Sequence, residues 1–347
     1  MVADGALAFA FDAPPAAGTR RRVADGVDWV RQPLPFALDH VNCWVFGAKG
    51  APDEPPGDDV TLVDTGIASE RGRSLWHETL GGACPARVLV THFHPDHMGL
   101  AGEFAADGSA LLGSAVETSL AHRIWHTGPL EYGERYADWY AANGLPEESV
   151  EHVRAFGNGY RKIVAAPPAP RAWRTLAAGD VLTLGEREFR VLVGRGHAPD
   201  MLLLHDAANG LLIAADQVLP TISPNVSIMP LSPDPDPLAS FLASLDALRE
   251  LPADTLVLPS HGLPFRGLHA RLDALVAHHA ERLAALRDAV SEPRSAFELF
   301  PVLFRRTLDA QQMSFALGET LAHLARLAAD GQVSVRTVAG VERWRRR

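Results

Sequence analysis

The stretch VLVTHFHPDHMGLAGEF, residues Val88–Phe104, decides how the rest of the chain is read. An apolar, strand-like run ends at Thr91, and His92, His94, Asp96 and His97 follow within six residues before a helical pattern begins. Neutral imidazole and carboxylate suit a borderline divalent cation such as Zn2+, and close spacing lets one backbone segment supply several ligands. On an extended segment His92 and His94 stand two apart and point the same way. Asp96 and His97 fall where the chain turns into a helix, and can face the same cavity from another side. One cation does not need all four groups, whereas two adjacent cations would use them. The bland alternative is a polar turn in a chain that contains 15 histidines. Four ligand-type residues directly after VLVT favour the metal reading.

The 347-residue chain is long enough for one large domain or two ordinary ones. Its hydrophobic content of 47% and mean hydropathy of zero fit a globular protein. No run of 18 apolar residues occurs, so no membrane span is expected. In MVADGALAFAFDAPPAAGTRRR the basic cluster follows the apolar part, the reverse of a secretory signal, and the cytoplasm is the expected compartment. Cys43 and Cys84 lack metal-type neighbours and read as ordinary thiols. The formal charge of −10 argues against a generally nucleic-acid-binding surface. From Phe265 onward, however, 13 Arg against 9 Asp and Glu leave about +4, and the remainder carries about −14.

Short apolar or alternating runs recur through the first two thirds: HVNCWVFG, VTLVDTG, ARVLVTH, EFRVLVGRGH, MLLLHD, GLLIAAD and DTLVLPSHG. Each is bounded by Gly, Pro or Asp, as strands are. Helical patterns such as SERGRSLWHETLGG and DPLASFLASLDALREL lie between some of them, giving a layered α/β protein. A helical, aromatic stretch over about 119–165 interrupts this rhythm. Tyr132, Tyr136 and Tyr140 there repeat at four-residue spacing and share one helix face. Beyond PSHGLPF come a long amphipathic helix, two further helical segments, and a short hairpin in GQVSVRTVAGVERWRRR. These outline a winged-helix-like domain over 265–347, after a catalytic domain over 1–264.

THFHPDHMG resembles the HxHxDH signature of the metallo-β-lactamase superfamily, whose members are mostly hydrolases built as an αββα sandwich. Further landmarks match in order, each at a strand end. TLVDTG supplies Asp64, VGRGHAPDM supplies His197, LLIAADQVLP supplies Asp216 and LVLPSHGLPF supplies His261. The resemblance covers roughly residues 30–265, with the aromatic stretch as an insertion. It implies that His92, His94 and His197 hold one metal, that Asp96, His97 and His261 hold a second, and that Asp216 bridges them. Asp64 is expected beneath the site, fixing the ligand loop through hydrogen bonds. A turn-forming Asp before Gly66 is the competing reading.

The ligand set implies two divalent ions, Zn2+ by default with Fe or Mn possible. Together they would lower the pKa of a shared water, and Asp96 would orient that nucleophile. The missing export signal argues against a true β-lactamase. The oxygen-reducing di-iron members carry Glu where His94 stands and a flavin domain that is absent here. Dinuclear hydrolases with Asp at position 216 remain: glyoxalase II-like thioesterases, lactonases and ribonucleases. The tail resembles the winged-helix extension of a β-lactamase-like group, the β-lactamase-like protein 2 type, some of which are endoribonucleases. DQVLPTISPNVS resembles a run in that group and would place Ser223 and Asn225 near the pocket mouth. Tyr132 and Tyr136 would line a pocket for a small, partly apolar ligand, or simply pack their helix against the body. A small-molecule ester or thioester is therefore favoured over RNA as substrate, with a homodimer possible.

Overall fold

Alternation along the strands sets the layering. In the strand His40–Phe46, Trp44 and Phe46 point to one face while Val41, Cys43 and Val45 point to the other, and the two sets enter different apolar clusters. In Met201–Asp206, Leu202 and Leu204 part from Met201 and Leu203 in the same way. A strand apolar on both faces needs a partner layer on each side. The computed structural model, which describes residues 7–54, 56–57, 59–231 and 234–347, supplies both layers. Residues 1–6 of the N-terminal stretch read above lie outside the described residues.

Two seven-stranded sheets stack face to face. The first runs in the order Arg21–Ala24, Val27–Pro33, His40–Phe46, Thr61–Val63, Arg87–Leu89, Ala110–Gly113 and Arg174–Thr175. It is antiparallel at one end and parallel from Thr61–Val63 onward. The second runs in the order Ala8–Phe9, Phe265–Arg266, Leu256–Pro259, Leu211–Ala215, Met201–Asp206, Arg187–Gly194 and Val181–Leu184. Between the sheets lie Trp29, Trp44, Phe46, Phe189, Leu202 and Ile213, all fully buried. Helices Glu70–Leu80 and Ala115–His126 cover the first sheet through Trp76, Leu80, Leu120 and Ile124. Helices Pro237–Leu248 and Leu268–Ala289 cover the second through Phe241, Leu245, Leu272 and Leu275. The arrangement is the expected αββα sandwich.

Beyond the sandwich stands a small C-terminal domain of helices Phe300–Leu303 and Ala310–Ala329 and the hairpin Val333–Val338/Val341–Arg346. A capping box at Asp309 and Gln312 starts its longer helix. Its apolar core is shared with the insertion. Leu317, Leu324 and Trp344 pack with Ala137 and Tyr140 of helix Pro129–Ala142, with Val150 of helix Glu147–Phe156, and with Leu286 near the end of the long helix. The tyrosine stripe spans both regions. Tyr140 is buried in this core with its hydroxyl 2.6 Å from Ser314 Oγ, and with Tyr132 and Tyr136 it lines a cavity described below. Cys43 and Cys84 are free thiols. Among the described residues no helix is long and apolar enough to cross a membrane.

The inter-sheet cluster should carry much of the stability. Phe189 is fully buried and meets Phe46 edge-on with ring centroids 5.3 Å apart. Phe189→Ala is expected to cost about 3–5 kcal/mol in denaturant unfolding; a loss below about 1 kcal/mol would show that the sheets are not packed as described.

Candidate metal centre

The candidate ligands sit where strands stop. The adjacent parallel strands Thr61–Val63 and Arg87–Leu89 end at one edge of the first sheet, followed by Asp64 and by the loop His92–His97. From the second sheet, Arg187–Gly194 leads to His197, Leu211–Ala215 to Asp216 and Leu256–Pro259 to His261. Asp64 and Ala215 both adopt positive φ, 63° and 44°, unfavourable for non-glycine residues. At Asp64 the hydrogen bonding that offsets this strain is visible. Its carboxylate accepts from Thr91 N at 2.8 Å, from Thr91 Oγ1 at 2.8 Å and from His97 Nδ1 at 2.7 Å.

Three groups of side chains bring their ligand atoms within 4.8 Å of one another: His92, His94 and His197; His92, His97 and Asp216; and Asp96, His97 and His261. His92 Nε2 lies 3.0 Å from His94 Nδ1. Asp216 occupies the middle, with Oδ2 3.2 Å from His197 Nε2 and Oδ1 3.3 Å from His261 Nε2 and 3.6 Å from His97 Nε2. Asp96 Oδ2 stands 3.4 Å from His261 Nε2 and 3.5 Å from His97 Nε2. All seven residues read from the sequence as ligands therefore converge. Asp64 stands behind them, against His97.

Tautomers follow from the outward-facing nitrogens. His197 Nδ1 donates to the carbonyl of Asn225 at 2.8 Å, and His261 Nδ1 to the carbonyl of His40 at 2.7 Å. A carbonyl only accepts, so Nδ1 carries a proton in each ring, and the neutral form of each has a bare Nε2 facing the centre. Burial, reinforced by neighbouring imidazoles, drives the pKa of His92 well below its ordinary value and that of His94 down to about 3, keeping both neutral. Burial acts the same way on His97, but Asp96, Asp64 and Asp216 outweigh it and hold His97 well above its ordinary value. His261 is likewise raised, by Asp216 and Asp96. Burial pushes Asp96 up, yet His97 and His261 bring it down to about 2; Asp216 falls well below the usual carboxylate range for the same reason.

This donor set fits a divalent metal. His97 Nε2, His197 Nε2 and Asp216 Oδ1 are buried, converge on the centre and have no hydrogen-bond partner among the described residues. Buried polar atoms are seldom left so unless another group satisfies them. The carboxylate field that favours a proton on His97 equally favours a cation.

A cavity of about 520 Å³ opens from His94 and His197 and runs between the insertion and the start of helix Ala310–Ala329. Phe36, Phe93, Leu120, Tyr132, Tyr136 and Phe315 are among the side chains that make its wall largely apolar. Tyr132 and Tyr136 stack with centroids 4.5 Å apart. Asn225 also lines the cavity. Ser223 is not among the lining residues; its hydroxyl lies 3.2 Å from His278 Nε2.

Two supporting residues escaped the sequence reading. Glu117 is buried, and its carboxylate accepts from Phe93 N at 3.0 Å and from Asp200 N at 2.6 Å, tying the His92–His94 turn to the loop that carries His197. Burial raises its pKa to about 7, against the pull of those two N–H groups. Tyr160 donates its hydroxyl to Phe93 O at 2.6 Å, so both backbone groups between His92 and His94 are held. The one sequence signal was Ser114–Glu117, which reads as a capping box. Ser114 does cap, but Glu117 reaches across to the ligand loops instead of folding back.

The sequence profile of the metallo-beta-lactamase superfamily matches residues 37–261. The chain belongs to that superfamily. A second profile, the metallo-beta-lactamase-like C-terminal domain, matches residues 283–347. The structure is similar to that of a beta-lactamase domain protein from Burkholderia ambifaria, with a TM-score of 0.88 and 40% identity over 98% of both chains. By sequence the chain is 24% identical over 321 residues to the probable metallo-hydrolase YqjP of Bacillus subtilis, covering 88% of this chain and 93% of that protein. It is also 24% identical over 208 residues to the acyl-coenzyme A thioesterase MBLAC2 of Bos taurus, covering 57% of this chain and 65% of that protein. As a metallo-beta-lactamase superfamily member the chain is a hydrolase, and its His and Asp groups can hold divalent metal.

Metal uptake should depend on pH with a defined sign. A raised His97 carries a proton at neutral pH in the metal-free protein, and a metal must displace it. The affinity for Zn2+ is therefore expected to rise with pH, by about tenfold per unit for each proton displaced. Calorimetry in buffers of different ionisation enthalpy should detect at least one proton released at pH 7; none released would contradict the assignment of His97.

Proposed function

We propose that this superfamily member is a dinuclear metallohydrolase of acyl thioesters with an apolar acyl group. The observation that carries the reading is the apolar cavity ending at His94 and His197. Lys162 is the one Lys or Arg among its lining residues, which disfavours a phosphodiester backbone and so the endoribonuclease alternative. The thioesterase relative acts on a substrate of the proposed class.

In this reading His92, His94 and His197 would hold one ion, Asp96, His97 and His261 would hold the other, and Asp216 would serve both. Zn2+ suits the imidazole-rich set, with Fe or Mn as other occupants. When bound, the ions supply Lewis acidity, lowering the pKa of water and polarising the scissile carbonyl. The chain does the rest. Asp64 and the carbonyls of Asn225 and His40 fix the imidazoles. Asp96, ionised down to about pH 2, accepts a hydrogen bond from the attacking water and orients it. The cavity takes the acyl chain and excludes water from it. Among the described residues the reading assigns no separate proton donor for a leaving group, and a thiolate needs none: an ordinary thiol has a pKa of about 8.5. That argument favours thioesters over amides. The tail, winged-helix-like in outline, serves here as a wall of the cavity through Ala310, Met313 and Phe315.

The test is a panel of acyl-coenzyme A thioesters of increasing chain length, run beside single-stranded RNA and an alkyl sulfate. Turnover of thioesters with KM falling as the chain lengthens is expected, and its loss in His94→Ala together with bound metal. Met313→Trp, which fills part of the cavity, should raise KM for long chains about tenfold while short chains stay near wild type. Turnover of RNA or alkyl sulfate with inert thioesters would contradict the proposal.

A further inference from the structure

The segment 223–229 has no regular secondary structure, yet it supplies the carbonyl of Asn225, which receives His197 Nδ1 at 2.8 Å. A carbonyl on such backbone orients a ligand only if other groups hold the backbone still. The holding comes from the C-terminal domain. Ile228 N donates to Gly318 O at 3.1 Å, in the middle of helix Ala310–Ala329. A β-carbon on Gly318 would lie 2.8 Å from Ser227 Cβ and 2.9 Å from Ile228 O, so glycine permits this approach. On the same helix, Asn225 Nδ2 donates to Glu319 Oε2 at 3.3 Å and to Phe315 O at 3.4 Å.

Glu319 is itself buried and held. Its Oε1 lies 3.1 Å from an Arg282 guanidinium nitrogen on helix Leu268–Ala289. Arg282 Nε also donates to His278 Nε2 at 2.8 Å, and that nitrogen faces Ser223 Oγ at 3.2 Å. Both ends of the 223–225 turn are thus tied, one through His278 and one directly, to the same Arg282–Glu319 pair.

We infer that Glu319 is a positioning residue for the metal centre: paired with Arg282, it anchors Asn225, whose carbonyl fixes the imidazole of His197. The C-terminal domain is then part of the hydrolytic site's support as well as a wall of its cavity. Asn225 serves chiefly as a strut for a ligand, and Ser223 braces the same turn. The inference rests on His197 being a metal ligand.

Zn2+ affinity of the metal-free full chain, measured by competition with a chromophoric chelator, tests it. Asn225→Ala keeps the carbonyl and removes the anchor; Glu319→Ala removes the anchor's partner. Each is expected to weaken binding about tenfold, the size typical of lost outer contacts to metal ligands. The double variant should be no weaker than either single one, since both act along one path. Glu319→Gln, which keeps an acceptor for Asn225, should stay within about threefold of wild type. The melting temperature of metal-free Asn225→Ala guards against mere unfolding and should match wild type. Wild-type affinity in both alanine variants, or additive losses in the double, would overturn the inference while leaving the metal centre intact. A wild-type chain that takes up no Zn2+ would overturn both.

Discussion

One buried carboxylate carries more of this structure than its size indicates. Asp64 sits at the end of a strand in a backbone conformation that a side chain resists, and three donors from Thr91 and His97 converge on it. Without that anchor, the His92–His97 loop would have to hold four ligand groups at a strand-to-helix turn on local geometry alone. A buried carboxylate gripped by three donors is held fixed, and the loop inherits its rigidity. The Glu117 carboxylate does comparable work from the opposite side, bridging to the loop of His197. Two buried acids, neither pointing into the centre, thus set the spacing of groups that do.

Convergence of ligands from both sheets makes the site a property of the sandwich as a whole. His92–His97 comes from the first sheet, and His197, Asp216 and His261 come from the second. The distances across the centre therefore depend on the apolar layer between the sheets, where Trp29, Trp44 and Phe189 fix their separation. The C-terminal domain and the insertion extend that logic outward, because they share one core and enclose the cavity between them.

Much of this was legible in the sequence, and the reasons are local. HFHPDH is contiguous, so its four ligand types declare themselves by spacing. A layered α/β protein was readable from apolar runs punctuated by Gly, Pro and Asp, the αββα arrangement only from the resemblance of THFHPDHMG and its later landmarks to the superfamily, and the terminal helices and hairpin from a change of period. His197, Asp216 and His261 were legible only through the resemblance, as an ordered set of superfamily landmarks at strand ends, since each alone is an ordinary turn residue. What stayed hidden is tertiary. No pattern marks the carbonyls of Asn225 and His40 as acceptors for ligand imidazoles, because every residue has a carbonyl. The four-residue tyrosine spacing put three rings on one helix face, and all three line the cavity, but it did not show that Tyr140 would also pack into a core shared with a distant helix. Ser223 and Asn225 were read as pocket-mouth residues; of the two, Asn225 lines the cavity and Ser223 bonds to His278.

The central claim is that two ions share this one turn. Anomalous diffraction at the metal edge, from crystals of metal-loaded protein, tests it most directly. The claim predicts two peaks about 3.5–4 Å apart, one among His92, His94 and His197 and one among Asp96, His97 and His261, with Asp216 between them. A single peak, or peaks away from these side chains, would contradict it.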